Sequence, residues 1–73
     1  MKTKMVRKST NQAIIVNHEI HRDEKIKTNY ILVDSLRGCV CSKREYLYGN
    51  RKPEDYIEWL KSQDFEIVRV YND

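Results

Sequence analysis

Pro53-Glu54-Asp55-Tyr56-Ile57-Glu58-Trp59-Leu60-Lys61-Ser62-Gln63-Asp64-Phe65-Glu66-Ile67-Val68-Arg69-Val70-Tyr71 contains the change of period on which the fold class turns. A proline that needs no amide partner, followed by two carboxylates near the positive end of the dipole, marks a helix first turn. Tyr56, Ile57, Trp59 and Leu60 then fall on one apolar face, and Lys61 suits the last turn, so the helix is expected to run to about Ser62. From Phe65 to Tyr71 the period drops to two, with Phe65, Ile67 and Tyr71 opposite Val68 and Val70, which reads as a strand.

The residues before the helix keep the period of two. Ala13 to His21 sets Ile14, Val16, His18 and Ile20 on one face, with Asn17, Glu19 and His21 on the other. A charged turn at Arg22-Asp23-Glu24-Lys25 leads to a second strand, Ile26 to Asp34. There Tyr30, Ile31, Leu32 and Val33 occupy both faces, as a central strand requires. Ser35 to Gly38 is expected to turn, Cys39 to Tyr48 to form a third strand, and Gly49-Asn50 to end it. The expected order is β-β-β-α-β, an α+β domain with an antiparallel sheet of about four strands and one helix on a face. Residues 1–12 carry Lys2, Lys4, Arg7 and Lys8 and few apolar groups, so they are expected to form a flexible basic arm before a single domain at 13–73.

A chain of 73 residues, 40% hydrophobic and 34% charged, fits one small soluble domain with a thin core that dimerisation would support. No run approaches the roughly 18 to 20 apolar residues of a membrane span, and no apolar stretch follows the basic start as in a secretory signal. Cys39 and Cys41 on one strand face would stand about 7 Å apart, too far for an ordinary disulfide, so they read as reduced thiols of a cytoplasmic protein. No membrane partner is expected.

Charge is unevenly distributed. Residues 1–12 carry +4, residues 13–34 −1, residues 35–52 +4 and residues 53–73 −4, for a net +3. Arg37, Lys43, Arg44, Arg51 and Lys52, with Tyr46 and Tyr48 among them, are cations beside aromatics that suit a phosphate backbone and stacked bases, or an acidic partner. They equally suit a solvated strand edge. Glu54, Asp55 and Glu58 beside Tyr56 and Trp59 form the opposite candidate, an acidic and aromatic face for a basic protein surface, and equally an ordinary helix cap. A polarised molecule also suits a homodimer, positive side to negative side.

His18, His21, Cys39 and Cys41 have the donor types of a tetrahedral zinc site, but one residue between cysteines is too tight, and His18 and His21 point to opposite strand faces. No glycine-rich phosphate loop, nucleophile elbow or paired-histidine helix is present. The expectation is a protein that is not an enzyme and needs no metal or cofactor.

The acidic helix Pro53-Glu54-Asp55-Tyr56-Ile57-Glu58-Trp59-Leu60, leading by a short turn into Asp64-Phe65-Glu66-Ile67-Val68-Arg69-Val70, resembles the end of several very small phage proteins. Among these are host-takeover inhibitors that bind bacterial RNA polymerase or other replication and transcription machinery. The resemblance implies an autonomous, non-catalytic binding protein of a bacterial or phage-infected cytoplasm. The leading expectation is therefore inhibition of a host protein of nucleic-acid machinery through Glu54, Asp55, Tyr56, Glu58 and Trp59. The alternative is direct RNA or DNA binding through the basic face of residues 37–52 and the basic arm.

Overall fold

The computed structural model describes residues 1–37, 40–49 and 51–72. Among them, six strands and one helix follow in the order β1 (Lys2–Arg7), β2 (Gln12–Asn17), β3 (His21–Asp23), β4 (Thr28–Arg37), β5 (Val40–Tyr48), α1 (Pro53–Ser62) and β6 (Glu66–Tyr71). Every pairing is antiparallel. At Tyr30, β4 meets His21 of β3 on one side and Tyr48 of β5 on the other; at Val33 it meets Val16 of β2 and Glu45 of β5. Hence β2 and β3 lie end to end along one edge of β4, and the sheet reads β5, β4, β2 with β3, β1, β6 across its width. The chain is an α+β protein, with six strands rather than about four.

Alternation decides what each strand buries. Thr3 and Met5 of β1, Ile14 and Val16 of β2, and Ile31 and Val33 of β4 turn to one face, where Ile57 and Leu60 of α1 and Phe65 close over them. Each such apolar side chain contributes about 1.5–3 kcal/mol by leaving water. Pro53 opens the helix, Glu54 and Asp55 sit in its first turn and Lys61 in its last. Among the described residues no helix is long and apolar enough to cross a membrane.

Residues 1–12 correct the sequence reading. They do not form an arm: Lys2–Arg7 is strand β1, paired with β2 on one side and β6 on the other, with Met5 0% and Thr3 3% exposed. Counting apolar residues undervalued this segment, because a strand between two others satisfies its backbone from both sides and needs only alternate positions buried. The expected strand 13–21 is also broken. The Asn17 side-chain carbonyl accepts the Glu19 amide at 2.8 Å, a local turn that competes with the ladder, and Ile20 leaves the core face to stand exposed. Asp23, expected in a turn, ends β3; its carboxylate accepts the Lys25 amide at 2.9 Å and starts the hairpin one residue later. β4 continues to Arg37, through most of the expected turn, and Gly38 lies outside the described residues.

The end of α1 fixes how β6 enters the sheet. The Phe65 amide donates to the Leu60 carbonyl at 3.1 Å and the Asp64 amide to the Lys61 carbonyl at 3.2 Å, the two bonds of a Schellman cap, with Phe65 and Leu60 both buried. Asp64 holds the left-handed position at φ 66°, where glycine is usual, and places a carboxylate at the negative end of the helix. Asp64→Gly is therefore expected to raise stability by about 1 kcal/mol, read as a higher urea midpoint at unchanged slope.

Candidate functional site

The helix covers one face of the sheet and leaves the other open. Register lines up the open-face residues in rows. Tyr71 of β6 stands opposite Lys2 of β1 and Lys2 opposite Asn17 of β2, while Leu32 of β4 stands opposite Tyr46 of β5. In the next row Arg69 stands opposite Lys4, Lys4 opposite Ile15, Ile15 opposite Asp34 and Asp34 opposite Arg44. Four strand spacings make such a row about 19 Å long.

The two ends of this face differ in chemistry. At the β3, β4 and β5 end, the Tyr30 ring stacks on His21 at 5.2 Å and 17°, meets Tyr46 edge-on at 5.7 Å, and lies 5.1 Å from Tyr48. Tyr46 and Tyr48 are 53% and 44% exposed. Packing against these rings, and then the Asp23 carboxylate that accepts the phenol hydroxyl at 3.3 Å, hold the Tyr48 phenol above its ordinary value of 10.0. It stays a neutral donor at physiological pH. At the β1 and β6 end stand Lys2, Lys4 and Arg69, the last with its guanidinium 4.6 Å over the Tyr71 ring. Lys4 and Arg69 are like charges directly across adjacent strands, a destabilising placement, and among the described residues neither has a carboxylate partner.

On the covered side, α1 separates residues that the sequence suggested as one face. Glu54 and Glu58 lie four apart with Lys61 on one flank; Glu58 accepts from Lys61 at 3.0 Å, and Glu54 lies 4.0 Å from His18 Nδ1. Asp55, Tyr56 and Trp59 form the other flank, toward β5. Tyr56 and Trp59 stack at 5.5 Å and 30°, and with Leu47, Arg51, Lys52 and Asp55 they line a groove of about 650 Å³. Burial, then the Glu45 carboxylate, push the Tyr56 phenol above 10.0, against a smaller opposing effect of Arg51.

The expected basic block is likewise divided. Arg44, Tyr46 and Tyr48 lie on the open face, with Arg44 held by Asp34 at 2.8 Å. Lys43 pairs with Glu45 at 3.1 Å on the helix side, Arg51 and Lys52 join the groove, and Arg37 is exposed at the end of β4. Arg69 was not among the expected site residues; Lys2 and Lys4 were expected to bind only as part of a flexible arm, and Tyr30 and Tyr71 only as aromatics in excess of the core. Lys2 and Lys4 alternating with Thr3 and Met5, and Arg69 two before Tyr71, are the period-two signals that mark them.

His18 contacts a hydroxyl on one side and a carboxylate on the other. Its Nε2 lies 2.6 Å from Thr3 Oγ1 and its Nδ1 faces Glu54, the order of a hydroxyl, base and carboxylate relay. Thr3 is buried, and the contact ties β1 to the end of β2. His21 lies on the open face against Tyr30, apart from His18. Cys39 and the Cys41 side chain lie outside the described residues. No family model matches this chain, and no curated protein and no solved structure matches it either.

Proposed function

We propose that this chain is a non-catalytic binding module that holds single-stranded nucleic acid across the open face of its sheet. The observation that carries the reading is the pair Lys4 and Arg69, held opposite each other with Lys2 beside them and, among the described residues, no ion pair to a carboxylate. Such a cluster lowers its own repulsion when an anion arrives, and a phosphate backbone supplies several in a row. Tyr46 and Tyr48 offer exposed ring faces at the far end, where bases of any identity stack. A flat sheet of this width does not enter a duplex groove, which admits a helix or a two-stranded ribbon, so the fitting ligand is unpaired. The setting we propose, a bacterial or phage-infected cytoplasm, is the one implied by the resemblance of the helix and last strand. Inhibition of a host protein through the helix has less support, because Glu54 and Glu58 lie on the opposite flank from Tyr56 and Trp59.

The test is anisotropy of a labelled oligonucleotide of about a dozen nucleotides, DNA and RNA in parallel, titrated at several salt concentrations. Three phosphate contacts predict a log–log salt slope of about −2. Lys4→Glu should weaken binding and flatten the slope while leaving the fold as stable or slightly more so, since it brings a carboxylate opposite Arg69. Absence of binding at low salt, or binding indifferent to Lys4→Glu, would refute the reading.

A further inference from the structure

We infer that the groove between α1 and β5 is a second nucleotide subsite, into which a strand lying on the open face turns around the free edge of β5. The inference rests on the reading of the open face. Among the described residues β5 pairs with β4 alone, so its outer edge is uncovered. Alternation puts Tyr46 and Tyr48 on the open face and Leu47, between them, in the groove. A chain that leaves the tyrosines is thus one strand's thickness from Leu47.

The groove has the chemistry of a base and a phosphate. Trp59 is 54% exposed and backed by the Tyr56 ring, which presents a rigid aromatic surface at little entropic cost. Arg51 and Lys52 line it, exposed and, among the described residues, without ion pairs; Asp55 adds one carboxylate to the lining. A volume near 650 Å³ lies within the range of small-ligand sites. Two cations against Asp55, with the neighbouring Glu45 paired to Lys43, suit an anion, and a stacking surface beside them suits the base it carries. An acidic peptide would also meet the cations, but nothing leads it from the tyrosines around the edge.

Trp59 is the chain's one tryptophan, so its fluorescence reports the groove and not the open face. Anisotropy of labelled oligonucleotides of about four and about twelve nucleotides is measured beside Trp59 emission. The longer strand should quench Trp59 and the shorter one bind without quenching. Arg51→Glu with Lys52→Glu should abolish the quenching and reduce affinity for the longer strand about tenfold, with the shorter unchanged. Trp59→Ala should weaken the longer strand by about 5- to 100-fold. Bound long strand with unchanged Trp59 emission overturns the subsite and spares the open-face reading; no binding of either strand overturns both. Quenching by an acidic peptide, and not by the longer strand, assigns the groove to a protein.

Discussion

Removal of residues 1–11 is expected to leave a chain that no longer folds. β1 is the partner of both β2 and β6, and among the described strands β6 has no other. Its loss strips the ladder from Glu66–Tyr71, opens the core at Met5, and frees the end of α1, where Arg7 donates to the Gln63 carbonyl at 3.3 Å and lies 4.8 Å over the Phe65 ring. Met5→Ala tests the same point gently. A fully buried methionine truncated to alanine costs about 2–5 kcal/mol. At about 0.05–0.15 kcal/mol per residue, the whole stability of a 73-residue chain is about 4–11 kcal/mol. The variant should therefore show a sharply lower urea midpoint, and the truncated chain no cooperative transition and poorly dispersed amide resonances. A cooperative transition in a chain of residues 12–73 would return this segment to the status of an arm.

Replacement of Tyr46 and Tyr48 together by alanine should separate binding from folding. Both rings are substantially exposed and each packs on Tyr30, so the loss of stability should be about 1–3 kcal/mol, short of unfolding the chain. Base stacking is worth about 1–3 kcal/mol for each ring removed, so affinity for a single strand should fall at least about 30-fold. The salt slope should hold, because Lys2, Lys4 and Arg69 remain. That pattern is the converse of Lys4→Glu, which changes the slope and leaves the stacking surface intact. Undiminished affinity in the double tyrosine variant would remove the rings from the site. Tyr30 is the wrong choice for this test, since it packs against His21, Tyr46 and Tyr48 at once and its removal would disturb all three.

The elements legible in advance were those written into adjacent residues. Pro53, Glu54 and Asp55 announce a helix start, Tyr56 to Leu60 its apolar face, and the alternation of Ile14 with Val16 and of Ile31 with Val33 two core strands. Asn17 and Asp23 bend the chain through bonds only two residues long, a signal present in the sequence but outweighed by the apolar alternation around it. The candidate site was legible in part: Tyr46 and Tyr48 fall together on one face, whereas the acids and aromatics of the helix do not.

The sequence alone therefore determined the α+β class, the helix at Pro53–Ser62 and the inward positions of the middle strands, because helix caps and side-chain periods act over a few residues. Tertiary structure decided that Lys2–Arg7 is interior to the sheet, that Lys4 meets Arg69 from the far end of the chain, and that Leu47 joins Trp59 in one groove. Strand pairing is a contest between whole alternating segments for backbone partners and a buried face, and its outcome depends on every strand at once.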